Sequence, residues 1–256
     1  NMVEDLNKAI ASIAYNHLNL PQVITFSNGD QVKYVYDAAG IKLQKEADIG
    51  NVTTLTDYVA GKYYSNNTLQ FFQHAEGRVT KNGSSFDYEY HLMDHLGNVR
   101  VTVDESGTAV QRDDYYPFGL TFNNWLNTSP RNMYQYNGNE VQVEILNTTD
   151  FNARFYDASL GRFMMTDPLA DVNQESWNPY HFSFNNPIRF TDPTGLYSTE
   201  QWKEDNGITD DDLINIYQAP NESKPDDQDN PYELPIELYD KKKHGDLSLS
   251  PSVEVL

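Results

Sequence analysis

Hydrophobic and polar residues alternate in short runs along the first half of the chain. Residues 23–26 and 32–36 are rich in β-forming side chains, and Asn28-Gly29 lies between them. Asn-Gly between two such runs is the strongest short-range signal of a β-hairpin. Residues 37–40, Asp-Ala-Ala-Gly, then predict a turn, and residues 41–45 alternate again as a returning strand.

The same strand–turn–strand unit recurs in weaker form further along. Residues 86–90 lead through the Asp-His-Leu-Gly-Asn stretch at 94–98 into the alternating run 99–103, and residues 71–79 hold a fainter copy. A single hairpin cannot bury a face alone, so such repeats indicate side-by-side stacking into one sheet. The spacing drifts, which argues against a fixed-period solenoid. We expect mostly antiparallel strands over 21–125.

Composition supports an all-β fold. Tyr (18 residues) outnumbers Phe (12) and Trp (3). The Tyr side chain is half apolar and half polar, which suits strands that expose one face to solvent. The 14 Gly and 12 Pro indicate many short strands and turns rather than a helical bundle. Residues 1–20 are less decisive and fit either a strand or a short helix. Over residues 126–196 the pattern predicts a compact, turn-rich unit.

The net charge of −20 argues against nucleic acid as a partner. An acidic chain is repelled by the phosphate backbone of DNA and RNA, and we interpret the charge as a contribution to solubility. No cysteine is present, so disulfides and thiolate metal sites are excluded. No apolar run is long enough to span a membrane. The opening Asn1-Met2 resembles the interior of a longer chain, so the lack of a signal peptide says nothing about secretion.

Several motifs resemble those of RHS proteins. Residues 34–40 resemble the tyrosine–aspartate (YD) repeat, and residues 94–100 and 115–119 resemble the RHS repeat-associated core. The resemblance covers roughly residues 1–196 and is sharpest near its end. The motifs there are Arg154-Phe155-Tyr156-Asp157, Leu160-Gly161-Arg162-Phe163, Thr166-Asp167-Pro168, Asn178-Pro179-Tyr180 and Thr191-Asp192-Pro193-Thr194-Gly195-Leu196.

The resemblance implies an architecture and a role. RHS effectors and Tc toxin C components stack β-hairpin repeats into a spiralling sheet that forms a hollow shell. By this likeness, residues 1–125 are YD-repeat sheet, 126–196 are the core or plug that closes the shell, and 197–256 are a variable effector or tail. The expected partners are the chain's own C-terminal segment as cargo, the remaining repeats of a parent chain and a secretion-system component, with no nucleic acid and no membrane span. The parent protein is expected to be secreted or held at the cell surface.

The resemblance also implies self-cleavage by two aspartates. Peptide hydrolysis by carboxylates needs a pair that shares one proton, and Asp167 and Asp192 each lie in a Thr-Asp-Pro context. By resemblance the cut falls between Leu196 and Tyr197, and Arg162 is expected to orient a carboxylate or stabilise developing negative charge.

Two observations weigh against this hypothesis. Asp-Pro commonly starts a turn, so both aspartates could be turn residues only. In many family members the residues after the first Asp-Pro are x-Gly, whereas here Leu169-Ala170 follow. The alternative function is therefore a structural cell-surface repeat protein, used for adhesion or contact, that does not cleave itself.

Other polar residues predict no cofactor and no metal. His91 and His95 share a face only on a helix, so on strands they are interpreted as structural. Four acids might suggest calcium, but their spacing lacks the pattern of a calcium loop and favours solvated turns. These are Asp94, Asp104, Asp113 and Asp114.

The last 60 residues differ in composition from the rest. They carry fifteen acids and five lysines, a net charge of −10, which is half of the whole chain's charge. A short helix is predicted over 213–218, and the proline-rich stretch 220–235 is typical of a linker. The apolar content is thin for a folded domain, so a small folded toxin, a disordered tail and a binding segment remain alternatives.

Overall fold

The computed structural model describes residues 1–126, 131–170 and 177–196, together with two short strands near the C-terminus. Residues 1–199 form one compact unit and residues 200–256 a second. The described residues contain strands and short 3-10 turns but no α-helix, so the predicted all-β fold is confirmed. None of the described segments forms a helix with the length and apolar character needed to cross a membrane.

Twelve strands form one sheet in chain order, each antiparallel to the next. They are β1 (Ile10–Tyr15), β2 (Pro21–Phe26), β3 (Gln31–Tyr36), β4 (Lys42–Ile49), β5 (Val52–Val59), β6 (Lys62–Ser65), β7 (Thr68–His74), β8 (Gly77–Asn82), β9 (Ser85–Met93), β10 (Val99–Asp104), β11 (Ala109–Tyr115) and β12 (Thr121–Leu126). The sheet thus begins at residue 10, earlier than the expected residue 21, after a 3-10 turn at Leu6–Lys8.

A second, four-stranded sheet lies within the segment that we call the plug, residues 131–170 and 177–196. It consists of β13 (Glu140–Gln142), β14 (Thr148–Asp150), β15 (Phe155–Asp157) and β16 (Arg162–Phe163), with 3-10 turns at Tyr136–Gly138 and Ser183–Asn185. These strands are only two or three residues long, as expected for a turn-rich unit.

The C-terminal unit contains β17 (Ile216–Gln218) paired antiparallel with β18 (Ile236–Leu238). The helix predicted over 213–218 is therefore wrong for residues 216–218, where β-branched and aromatic side chains favour extended backbone. Residues 213–215 and the predicted linker at 220–235 lie outside the described residues.

One aspartate turn is used repeatedly along the large sheet. The Oδ1 atom of Asp37 accepts the backbone N–H groups of Ala39 and Ile41. Asp94 and Asp104 each accept the N–H groups two and four residues later in the same way. The third residue after each aspartate is a glycine with φ between +76° and +84°, a left-handed conformation that glycine adopts without strain. The Asp-x-x-Gly part of the repeat is thus a turn with a defined hydrogen-bond pattern.

The plug packs against one face of the first strands. Ile10, Ile24, Val32 and Tyr34 from the large sheet share a buried core with plug residues, among them Phe155. The Tyr34 ring meets Phe155 edge-on at 5.3 Å, and its hydroxyl donates to Gln142 Oε1 at 3.0 Å. A second core is largely aromatic and lies within the plug. Its buried members are Tyr136, Phe151, Tyr156, Ala158, Phe163 and Phe182.

Three lysines whose side chains are largely covered also join the large sheet region to the plug. Lys8 lies 2.5 Å from Asp157, and Lys45 lies 2.9 Å from Glu144. The third, Lys42, lies 2.5 Å from both Glu140 and Asp150. Buried charges of this kind are tolerated only when paired, so the position of the plug is set by ion pairs as well as by apolar contacts.

Substituting Gly119 with Ala is expected to weaken this packing. Gly119 has φ +84°, and a Cβ atom there would lie 2.6 Å from the Tyr136 ring. Gly107, with φ +80° and no neighbouring atom within 4 Å of such a Cβ, is the matched control. We expect Gly107→Ala to cost about 1–2 kcal/mol from the backbone alone and Gly119→Ala a further ~1–3 kcal/mol from the clash. Urea unfolding of the two variants measures the difference, and equal losses would contradict the packing described.

Candidate functional site

Three charged side chains from distant parts of the plug meet in its interior. Arg154 immediately precedes β15, Asp167 follows β16, and Asp192 lies beyond the 3-10 turn Ser183–Asn185. All three are buried, with between 1% and 4% of each residue exposed. The Asp167 N–H donates to the Pro179 carbonyl at 2.9 Å, which ties the segment after β16 to the turn that precedes Asp192.

Arg154 connects the two carboxylates. Its Nη2 atom lies 2.8 Å from Asp167 Oδ2 and 3.4 Å from Asp192 Oδ2. The Nε–H donates to the Gly195 carbonyl, and Nη1 donates to the Pro179 carbonyl at 3.4 Å. The guanidinium carbon lies 3.6 Å from the centroid of the Phe163 ring, a cation–π contact. One arginine therefore holds both aspartates and the backbone next to Leu196.

Asp192 closes a buried version of the aspartate turn seen in the large sheet. Its Oδ1 atom accepts the N–H groups of Thr194, Gly195 and Leu196 at 3.3, 2.7 and 3.1 Å. Gly195 has φ +76°, and a Cβ atom there would lie 2.8 Å from the Phe151 carbonyl oxygen. Because Oδ1 holds the turn, Oδ2 is the atom that faces Arg154. One oxygen of this carboxyl group thus closes the turn, and the other pairs with the guanidinium.

Asp167 forms a simpler turn in which no glycine is required. Its Oδ1 accepts the Leu169 N–H at 2.8 Å, and its carbonyl accepts the Ala170 N–H at 3.1 Å. Ala170 is not among the described residues with positive φ, so an alanine satisfies the local backbone. The other oxygen of this carboxyl group, Oδ2, faces Arg154 Nη2 at 2.8 Å.

Burial raises the pKa of both carboxyl groups. Desolvation, strengthened by the neighbouring Asp167 charge and opposed by Arg154, raises the pKa of Asp192 to about 7. Desolvation also raises the pKa of Asp167 above its usual value, against the pull of Arg154. Two interacting acids titrate as a pair. A pKa of about 7 lets Asp192 carry a proton for part of the time near neutral pH.

The arginine beside the two aspartates is Arg154 and not Arg162. Arg162 is exposed in β16 and lies opposite Asp157 in the strand register, so the sequence-based assignment of Arg162 to the aspartate pair is corrected. Arg154 begins the Arg-Phe-Tyr-Asp motif, but nothing in the local pattern indicates which of the two arginines points inward. Leu196 is buried at 2% exposure, and Tyr197 lies outside the described residues.

The histidines that the sequence singled out make structural contacts. The His91 ring is hydrogen-bonded to the side-chain amide of Asn132 at 3.0 Å, and burial lowers its pKa to about 4. His95 Nε2 lies 3.1 Å from the carbonyl oxygen of Ile188. In the described ranges no group of three or more His, Cys, Asp or Glu is arranged to hold a metal ion.

The four acids weighed as calcium ligands have protein partners. Asp94 and Asp104 accept backbone N–H groups in turns, and Asp114 contacts Arg100 at 2.5 Å. Asp113 accepts a hydrogen bond from Gln111 at 2.7 Å.

Comparisons with known proteins find two toxin subunits and a surface protein that are each similar to part of the chain. No family model matches the chain. Toxin subunit YenC1 of Yersinia entomophaga is 30% identical over 114 residues, which is 43% of this chain and 11% of that protein. Toxin subunit YenC2 of the same organism is 31% identical over 100 residues, 38% of this chain and 10% of that protein. Salivary gland surface protein 1 of Aedes aegypti is 30% identical over 105 residues, 41% of this chain and 3% of that protein.

Solved structures share the fold. The TcdB2-TccC3 complex without its hypervariable C-terminal region matches with a TM-score of 0.62 and 20% identity, over 72% of this chain and 10% of that one. The Tc holotoxin pore of Photorhabdus luminescens matches with a TM-score of 0.63 and 19% identity, over the same shares. The chain thus resembles the C components of Tc toxins, and it spans about a tenth or less of the proteins that it matches.

Proposed function

We propose that this chain is the C-terminal part of a secreted RHS-repeat protein that encloses a C-terminal effector, and that it cuts its own backbone once, after Leu196. Asp167 and Asp192 are the catalytic pair and Arg154 supports them. One observation carries the proposal: two buried carboxylates share a single guanidinium nitrogen, and the same guanidinium binds the Gly195 carbonyl, one residue before the bond.

The arrangement suits acid–base hydrolysis of a peptide bond. The ionised carboxylate takes a proton from a water molecule, whose oxygen attacks the carbonyl carbon of Leu196, while the protonated carboxyl group donates to the carbonyl oxygen. Collapse of the tetrahedral intermediate breaks the C–N bond, and the amine of Tyr197 leaves with a proton from the pair. Asp192, whose pKa is raised to about 7, is the natural acid, and Asp167, closer to Arg154, is the natural base.

The fold supports a role in enclosing cargo. A twelve-stranded antiparallel sheet with a plug docked on one face fits the closing end of a larger shell. In that role the cargo is residues 197–256, the partners are the remaining repeats of the parent chain and a secretion-system component, and the parent protein is secreted. These assignments rest on the likeness to Tc toxin subunits.

A second candidate is a structural cell-surface repeat protein that does not cleave itself. The similarity to a salivary gland surface protein favours it, as does Leu169-Ala170 in place of x-Gly. The two candidates differ in one product, because only the first yields a fragment that ends at Leu196.

Intact-mass analysis of the purified full chain tests the proposal. We expect two fragments, residues 1–196 and 197–256, and a single uncut mass for Asp192→Asn. Asparagine keeps an oxygen that accepts the three turn N–H groups, so the turn is retained while the ionisable group and its ion pair with Arg154 are lost. Asp104→Asn is the matched control, because Asp104 forms the same turn on the surface. A full-length mass for the unchanged chain, or cutting in Asp192→Asn, contradicts the proposal.

A further inference from the structure

His181 is a polar residue close to the site that the proposed reaction does not use. It lies in the turn Asn178-Pro179-Tyr180-His181 and is only 7% exposed. Its ring contacts the ring of Trp177, with centroids 5.3 Å apart, and the ring of Phe184, with centroids 5.5 Å apart. Trp177 and Phe184 also contact each other, with centroids 5.0 Å apart, so the three rings form one aromatic cluster.

The imidazole closes its own turn. The Nδ1 atom lies 2.8 Å from the Asn178 carbonyl oxygen, which also accepts the His181 backbone N–H at 2.9 Å. A carbonyl oxygen only accepts, so Nδ1 carries the hydrogen. Burial lowers the pKa of His181, which keeps the ring neutral with that hydrogen on Nδ1.

The turn in question holds two members of the site. The carbonyl oxygen of Pro179 accepts the Asp167 N–H at 2.9 Å and Arg154 Nη1 at 3.4 Å. Nδ1 of His181 holds the carbonyl of the residue directly before Pro179. A shift of this turn would therefore move the Asp167 backbone, and with it the Asp167 carboxyl group, together with the guanidinium.

We propose that His181 is a positioning residue for self-cleavage: by donating Nδ1–H to the Asn178 carbonyl, it holds the Pro179 carbonyl that orients Asp167 and Arg154. The inference rests on the proposed function, because it concerns how Asp167 and Arg154 are oriented at that same site. It assigns the imidazole no contact with the reacting atoms. A misplacement of about 1 Å at a reacting group can cost on the order of 100-fold in rate.

Two substitutions separate the hydrogen bond from the ring stacking. His181→Phe keeps an aromatic ring in contact with Trp177 and Phe184 but removes the donor. His181→Asn loses the ring but places an amide N–H near the position of Nδ1. We expect cleavage after Leu196 to be about 10- to 100-fold slower in His181→Phe, and His181→Asn to recover most of that loss.

The rates are measured by pulse–chase of the full chain in cell-free translation, following the appearance of fragment 1–196. A ring that acts through packing alone predicts the opposite order, with phenylalanine tolerated and asparagine slow, and that order overturns the proposal. Equal rates in the two variants overturn it as well.

A second readout does not depend on cleavage. In the uncleavable Asp192→Asn chain, hydrogen exchange at the Asp167 amide reports directly on its bond to the Pro179 carbonyl. We expect faster exchange there with His181→Phe than with His181→Asn, and equal exchange counts against positioning. If the unchanged chain does not cleave in the pulse–chase, the proposed function fails, while the exchange rates still decide whether His181 holds this turn.

Discussion

Replacing Arg154 with Met is expected to lower the free energy of unfolding by about 3–5 kcal/mol at neutral to alkaline pH and to stop cleavage after Leu196. Arg154 is 1% exposed and is the cation beside both Asp167 and Asp192. Without it, the two buried carboxyl groups face each other with no positive charge, and the Gly195 carbonyl loses its donor. Urea unfolding and intact mass measure the two effects.

The loss of stability in Arg154→Met is expected to shrink as the pH falls. Removing the cation leaves desolvation unopposed, so the pKa values of both carboxyl groups rise further in the folded state. The folded protein then binds more protons than the unfolded chain between the ordinary carboxyl pKa and the raised values, and its stability grows with acidity across that window. Arg162→Met, at an exposed position, is the control and should change stability by less than about 0.5 kcal/mol. Similar losses in the two variants would contradict the assignment of Arg154.

Replacing Lys42 with Met is expected to cost about 3–5 kcal/mol and to loosen the plug from the large sheet. Lys42 Nζ lies 2.5 Å from both Glu140 and Asp150, over the ring of Tyr58. Burial pushes the pKa of Glu140 upward, but Lys42 and Lys45 outweigh that effect and hold it below its usual value. Without Lys42, two buried carboxylates lose their nearest cation.

Lys33→Met is the matched control for Lys42→Met. Lys33 also contacts two acids, Glu46 at 2.8 Å and Asp48 at 3.7 Å, but its side chain is 40% exposed. An exposed cluster of this kind contributes about 0–1 kcal/mol. Urea unfolding should therefore separate the two lysines clearly, and a small, equal loss in both would show that buried ion pairs do not hold the plug. The triple variant Lys42→Met, Glu140→Gln, Asp150→Asn should recover part of the loss, because no buried charge is left unpaired.

The large sheet could be predicted because the sequence signals for its hairpins lie within a few neighbouring residues. Asn28-Gly29 between two β-forming runs gives the hairpin of β2 and β3, and the Gly29 N–H donates to the Phe26 carbonyl at 2.9 Å in the turn. Asp37 supplies its own turn through side-chain hydrogen bonds within four residues. Residues 1–20 were ambiguous because the strand Ile10–Tyr15 depends on pairing with Pro21–Phe26 and on burial against the plug, which no local pattern contains.

The site could be predicted only in part. Asp167 and Asp192 stand out by their shared Thr-Asp-Pro context, and the structure brings both to one guanidinium. Arg154 directly precedes the short strand Phe155–Asp157, whose three residues are all buried, and Arg162 begins the strand that pairs with it. With no alternation between inward and outward positions, sequence alone cannot tell which arginine points inside. Sequence alone likewise suggests that Lys42 faces solvent, because its partners Glu140 and Asp150 lie 98 and 108 residues further along the chain.

The aspartate turn of the repeats and the turn at Asp192 share their hydrogen bonds but differ in burial. Asp104 and Asp192 close similar turns by accepting backbone N–H groups two and four residues later. Asp104 is on the surface, and hydrogen bonds from Ser106 and Thr108 lower its pKa. Asp192 is 2% exposed beside a second acid, and burial raises its pKa to about 7. Burial of the same turn, and not a new backbone geometry, converts a turn residue into a candidate acid.

Cleavage in water enriched in oxygen-18 is the most direct test that Asp167 and Asp192 activate water at Leu196. The full chain is synthesised in the labelled water, and both fragments are digested and analysed by mass spectrometry. Hydrolysis as proposed places one heavy oxygen in the new carboxyl group of Leu196 and none in the side chain of Asp192. Heavy oxygen in the Asp192 side chain, which would indicate attack by that carboxylate itself, or a cut at any bond other than Leu196–Tyr197, would contradict the account.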